Sequence, residues 1–176
     1  PSVLKIHPRK RHVPILYTDA EGSGGLGALI NTEQGKFWFR SHVDRHPSPK
    51  LEERKTQIIA YEAIAVRVGL DRFVNHISNR GVIVFVDNMS AQGSIRKGRC
   101  RKDDIQHIVS DIILIAEKNH IRIHPFWIPS SLNISDLPSR GKPAPIGREV
   151  KAKSVISVLF LVSDQCRISL TLVHSV

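Results

Sequence analysis

Four carboxylates lie where their neighbours suggest divalent-cation or acid–base chemistry. Glu62 has Ile58, Ile59, Ala65 and Val66 at its helical i−4, i−3, i+3 and i+4 positions, so it falls inside an apolar stripe. An ionised carboxylate buried there is costly unless a cation compensates it or its pKa rises until it is neutral, and an ordinary ion pair to a basic side chain would serve as well. Asp87 closes the run Val82 to Val86, at the carboxyl end of a strand, where α/β proteins hold ligands, and is equally placed to cap a helix opening at Met89-Ser90-Ala91. Asp19 ends the expected first strand, in Tyr17-Thr18-Asp19-Ala20, just ahead of the glycine-rich stretch Gly22 to Gly27, which lets backbone approach closely; an ordinary turn aspartate fits there too. Asp136 lies in Asn133-Ile-Ser-Asp136-Leu-Pro-Ser-Arg140, near the start of a short helix that Asn133 or Ser135 can cap and whose first turn tolerates Pro138. Each acid taken singly has a structural explanation. Four acids at such positions in a basic protein point to a shared cation site.

The elements that must position these acids follow from hydropathy periodicity. Val13 to Asp19, Ala28 to Ile30 and Lys36 to Arg40 suit three antiparallel strands, joined by the glycine turn and by Asn31 to Gly35. A polar connector, His42 to Lys50, leads to a helix over Leu51 to Val68, with Gly69 as its expected stop. The unbroken run Val82 to Val86 predicts a strand covered on both faces. A short helical segment follows, then a long amphipathic helix opened by Asp103-Asp104 and carrying Ile105, Ile108, Val109, Ile112, Ile113 and Ala116 on one side. A strand over Ile121 to Ile128 and a short closing helix complete an α/β arrangement of a mixed sheet flanked by helices. Val155 to Val162 and Ile168 to Val173 form a β-rich tail of no assigned role.

Composition narrows the partners. At 41% hydrophobic and 24% charged residues the chain is too apolar for intrinsic disorder, and its 176 residues make one globular domain. No secretory leader or membrane segment is indicated, and Cys100 and Cys166 lack zinc-site spacing, so an intracellular protein with free thiols is expected, in cytoplasm or nucleus. The net charge of +10 favours a polyanion, first of all nucleic acid. Its cations cluster at His7 to His12, at Arg96 to Lys102 and from Arg140 to Lys153. Solvated loops are the plain alternative for any one cluster.

The order of the acids resembles the ribonuclease H superfamily, and most closely the ribonuclease H domain of retroelement reverse transcriptases. Tyr17-Thr18-Asp19-Ala20 with its glycine hairpin resembles the first-strand motif, Ile59-Ala-Tyr-Glu62-Ala-Ile64 the helix motif, and Val84-Phe-Val-Asp87-Asn88 the fourth-strand motif. Trp127-Ile-Pro-Ser-Ser-Leu-Asn133-Ile-Ser-Asp136-Leu-Pro-Ser-Arg140 resembles the closing motif. The resemblance implies a ribonuclease H-like domain over residues 13–141, between a basic lead at 1–12 and a tail at 142–176. It implies a five-stranded sheet of order 3-2-1-4-5. Two Mg2+ ions, with Mn2+ as a substitute, would be held by Asp19, Glu62, Asp87 and Asp136, the first and third centrally. The implied activity is endonucleolytic hydrolysis of the RNA strand of an RNA–DNA hybrid, beside a reverse transcriptase polymerase domain and away from membranes. Asn88, Arg96, Lys97, Arg99, Arg101, Lys102 and Arg140 are the expected nucleic-acid contacts.

Several positions depart from the family pattern. The interval from Asp87 to Asp136 is too short for the extra basic handle helix of bacterial-type enzymes. The loop Pro129 to Ser135 lacks the histidine usual before the last Asp, and His124 lies on the preceding strand instead. Ser135 stands where alanine is usual, and Glu21 where a small residue is common. Asp19 and Glu21 also resemble the Asp-x-Glu opening of proofreading 3′-to-5′ exonucleases, so an exonuclease is one alternative. A catalytically inactive domain of the same fold, binding nucleic acid or bracing a polymerase, is another. An integrase or transposase ranks below both, because it would carry its Glu on the late helix.

Overall fold

The computed structural model describes residues 12–43, 51 and 57–150. Positions 1–11 of the basic lead, most of the polar connector and the two β-rich stretches of the tail lie outside the described residues. Strands β1 (Ile15–Ala20), β2 (Gly25–Thr32) and β3 (Gly35–His42) form the antiparallel meander. Helix α1 (Ile58–Arg72) and the one-turn α2 (Val74–Ile77) lead to β4 (Gly81–Val86), which lies parallel to β1. Helix α1 thus starts after the expected Leu51, which sits in a bend. Helices α3 (Met89–Lys97) and α4 (Asp103–Lys118) precede β5 (Arg122–Trp127), parallel to β4. A 3-10 turn at Ser130–Leu132 and the short α5 (Asp136–Ser139) close the motif. The sheet order is β5-β4-β1-β2-β3-β6.

Five strands stand in the expected order, with a sixth beyond β3. Strand β6 (Arg148–Glu149) runs parallel to β3, inside the stretch read as a tail. The Val150 amide donates to the Trp38 carbonyl at 2.7 Å, the Trp38 indole to the Gly147 carbonyl at 3.3 Å, and Arg40 pairs with Glu149 at 3.2 Å. The run is too short and too charged to register as a strand; edge pairing, not hydropathy, makes it one.

Packing on the sheet is layered. Leu16, Ala28, Ile30, Phe39, Val82, Val84 and Val86 form the buried side beneath Ala63, Ile64 and Val66 of α1 and Ile105, Val109 and Ile112 of α4. Between the helices, the buried Arg67 guanidinium meets Asp111 at 3.3 Å. The alternate residues Ile83 and Phe85 are only half-buried, so β4 is sealed on one face and not on both. The Phe85 ring instead stacks on Tyr17, centroids 5.1 Å apart.

Two glycines act by their missing side chains. Gly69 does not stop α1, which runs on to Arg72; a Cβ there would lie 3.3 Å from Leu16 and 3.4 Å from Thr18, so the glycine lets the helix settle onto β1. Gly27 faces Asp19 across the β1–β2 ladder, and a Cβ there would collide with the Ser139 amide and lie 2.6 Å from the Ser135 carbonyl. The approach foreseen for the glycine stretch is therefore made by α5. Among the described residues no helix is long and apolar enough to cross a membrane.

Gly27→Ala is predicted to lower stability by about 1–3 kcal/mol, because the Ser135 and Ser139 backbone and the rigid Pro138 ring would have to yield there. Gly93→Ala, in open space on α3, should raise it by about 0.5–1 kcal/mol. Urea unfolding midpoints check both, and an unchanged midpoint for Gly27→Ala would contradict the close approach of α5.

Candidate metal centre

Three of the four acids meet. Asp19 is the penultimate residue of β1, Asp87 follows β4, and Glu62 rises from the second turn of α1, so the carboxylates converge at the carboxyl ends of two neighbouring parallel strands. One ligand oxygen from each of Asp19, Glu62 and Asp87 lies within 4.8 Å of the others. Glu62 is 2% and Asp19 4% exposed.

Their hydrogen bonds differ. Asp19 is held at both oxygens: Oδ1 accepts from Asn133 Nδ2 at 3.2 Å, and Oδ2 accepts from Ser139 Oγ. Asn133 Nδ2 also donates to the Thr18 carbonyl at 2.9 Å, while its Oδ1 accepts from Ser135 Oγ at 2.6 Å, which fixes the amide. Asp87 Oδ2 accepts from Ser130 Oγ at 2.7 Å, and the Trp127 indole donates to the Asp87 carbonyl at 2.9 Å. Glu62 Oε1 takes the Ala20 amide at 3.2 Å, but the buried Oε2 finds no donor. No basic side chain among the described residues pairs with Glu62, so the ion-pair explanation for it fails.

Electrostatics follow from this crowding. Burial, then repulsion from Asp87 and Asp19, pushes Glu62 up to about 10. Asp19 is raised to about 7, chiefly by burial, with the Ser139 bond opposing and Asp87 and Asp136 adding to the rise. A divalent cation coordinated by oxygens at about 2.0–2.6 Å draws its ligands to within roughly 4–5 Å of one another, which is the spacing found. Three hard oxygen donors and an orphaned buried Oε2 fit such an ion.

The remaining site expectations divide. Asp136 stays outside the three-acid group at the rim, its Oδ1 accepting Arg140 Nε at 2.9 Å, although its charge reaches Asp19. Arg140 is thus engaged with an acid. Asn88 caps α3, its Oδ1 accepting the Ser90 and Ala91 amides at 3.0 Å, and this frees Asp87 from the capping role. Arg96, Lys97, Arg99, Arg101 and Lys102 are exposed from the end of α3 into the loop before α4, and none forms an ion pair among the described residues. Lys97, Arg99, Arg101 and Lys102 line a groove of about 610 Å³ with Met89 and Ile59, which lie two residues beyond Asp87 and three before Glu62. Glu21 lies past the end of β1, outside the acid group, and His124 sits mid-ladder opposite Ile83.

Sequence reasoning missed Ser130 and Ser139, and took Asn133 only as a cap. Ser139 is 120 residues from Asp19, and no local periodicity signals which distant acid a serine will meet.

Comparison with known proteins agrees at the level of fold. No protein-family model and no curated protein matches the sequence. Among solved structures, the N-terminal RNase H domain of a Mycobacterium tuberculosis protein superposes with a TM-score of 0.53 at 17% identity, covering 73% of this chain and 91% of that one. LC11-RNase H1, isolated from compost by a metagenomic approach, gives 0.50 at 18% identity, covering 69% and 87%.

The raised carboxyls predict an inverted pH response in the absence of divalent ions. The unfolded chain releases these protons near pH 4, whereas the folded chain keeps them until about 7 at Asp19 and about 10 at Glu62. Stability contributed by the two groups therefore falls as pH rises through that window. Glu62→Gln should be more stable than wild type at pH 9 in EDTA by on the order of 1 kcal/mol or more, with a smaller gap at pH 5. Denaturant titrations at both pH values check this, and equal gaps would contradict the burial of an uncompensated Glu62. Strand order, the placing of the acids at the strand ends and the superpositions agree: the chain adopts the ribonuclease H-like fold.

Proposed function

We propose that this chain is a divalent-metal-dependent endonuclease that hydrolyses the RNA strand of RNA–DNA hybrids, as a module of a retroelement reverse transcriptase. The observation that carries the reading is the convergence of Asp19, Glu62 and Asp87 with an undonated oxygen on Glu62, at the strand ends of a ribonuclease H-like fold. Asp19 and Asp87 would hold two Mg2+ ions centrally, with Glu62 on one side and Asp136 on the other. When bound, the ions supply an acidified water and neutralise charge on the scissile phosphate and leaving 3′ oxygen. No side-chain nucleophile is then needed. The protein's own contribution is to hold the carboxylates together and aimed, and to seat the substrate. The exposed cations Arg96, Lys97, Arg99, Arg101 and Lys102 would bind phosphates, while shape and 2′-hydroxyl contacts would select the hybrid. The polymerase neighbour rests on the closing motif ending Asp136-Leu-Pro-Ser-Arg140 and on the absence of room for a handle helix between α3 and α4.

One observation favours a second reading, a nucleic-acid-binding domain without activity: Asp136 is paired with Arg140 and stays apart from the other acids. Phosphate binding to Arg140 would release that carboxylate under the nuclease reading. The test uses hybrid labelled on the RNA strand, with Mg2+ or Mn2+, wild type and Asp87→Asn. Internal RNA cuts by wild type, slowed at least about a hundredfold in the variant, are expected. Binding by both proteins with cleavage by neither would establish the inactive domain, and trimming of single strands from the 3′ end an exonuclease.

Neutralising Arg99, Arg101 and Lys102 together should weaken hybrid binding and flatten the slope of log K against log salt by about one for each phosphate no longer neutralised. Fluorescence anisotropy over a salt series reads this; an unchanged slope would remove the loop from the interface.

A further inference from the structure

The closing segment reaches Asp19 with two side-chain donors, from residues 114 and 120 positions away in the chain. Ser139 is 2% exposed and belongs to a helix whose backbone is already satisfied without its hydroxyl: the Ser139 amide donates to the Ser135 carbonyl at 3.1 Å. The hydroxyl has two acceptors in range, Asp19 Oδ2 and the Asp136 carbonyl at 2.8 Å, and one proton to give. A carboxylate outcompetes an amide carbonyl for that proton. The close approach of Ser139 to Asp19 needs the missing side chains of Gly27, directly opposite Asp19 on β2, and of Gly25, since a Cβ at either would collide with the Ser139 backbone.

A carboxylate rotates about its last side-chain bond unless both oxygens are held. Asp19 is held at both, by Asn133 on Oδ1 and Ser139 on Oδ2, whereas Glu62 is held at one oxygen by a backbone amide. Each carboxylate oxygen keeps a further lone pair once one donor has been accepted. We propose that Ser139 is a positioning residue for the metal centre: its hydroxyl fixes the rotation of the Asp19 carboxylate so that the unused lone pairs face Glu62 and Asp87, and thereby sets the affinity for divalent cations. This rests on the metal-dependent reading above. It assigns Ser139 no contact with substrate.

The experiment titrates Mn2+ into the full chain by calorimetry, with free Mn2+ followed by electron paramagnetic resonance, for wild type, Ser139→Ala, Ser139→Cys and Asp19→Asn. Removing an orienting partner of a metal ligand weakens binding by about 10–100-fold, so Ser139→Ala should bind Mn2+ about tenfold or more weakly and Ser139→Cys, a poorer donor of similar shape, should fall between. Asp19→Asn should abolish most binding. Hybrid cleavage by Ser139→Ala should recover to within about threefold of wild type as Mn2+ is raised to saturation, with KM for hybrid unchanged, a recovery that damage to the fold would not give. If Ser139→Ala does not fold, judged by circular dichroism, Ser139→Cys alone decides. Wild-type Mn2+ affinity in the serine variants, with binding abolished in Asp19→Asn, overturns the role of Ser139 and leaves the metal centre standing. Failure of wild type to bind Mn2+ overturns both.

Discussion

Three carboxylates with an oxygen from each within 4.8 Å of the others, two of them buried, are the constraint around which this molecule is arranged. Water would solvate and separate them; the fold does neither. Burial and mutual repulsion raise both Asp19 and Glu62, so the assembly stores unfavourable electrostatics that the hydrophobic layer beneath it must offset. A positive ion between the three acids would relieve this strain at its source. The site is thus least comfortable alone, as expected of a centre built for a ligand.

The rest of the architecture serves that convergence. Parallel pairing of β1 with β4 brings two strand ends together, and the close seat of α1 on β1 at Gly69 sets Glu62 above them. Asn88 takes the capping duty at α3, which leaves the Asp87 carboxylate free to face the other acids. The closing segment then supplies hydroxyl and amide donors to the two aspartates from residues 130–139. Glycine at position 27 makes room for it. The exposed cations at the end of α3 and in the loop before α4 stand on an element of their own, apart from the closing segment.

Much of this could be read in the chain itself. Glu62 betrayed its place by sitting among Ile58, Ile59, Ala65 and Val66, and the Val82 to Val86 run placed Asp87 at a strand end; both inferences needed only local periodicity. The glycines after Asp19 announced a close approach without naming its partner. What stayed hidden was set by contacts distant in sequence or by pairing at an edge: the Ser139 bond, and β6, two charged residues that become a strand beside β3. Gly69 misled because the same missing side chain that ends a helix also permits close helix–sheet packing, and only the neighbour decides which.

Crystals grown with Mn2+ and measured at the manganese absorption edge interrogate the metal centre without reference to catalysis. Anomalous peaks bounded by the Asp19, Glu62 and Asp87 oxygens are predicted, with Glu62 Oε2 among the ligands. Crystals that hold Mn2+ elsewhere and show no peak among the Asp19, Glu62 and Asp87 oxygens would contradict it.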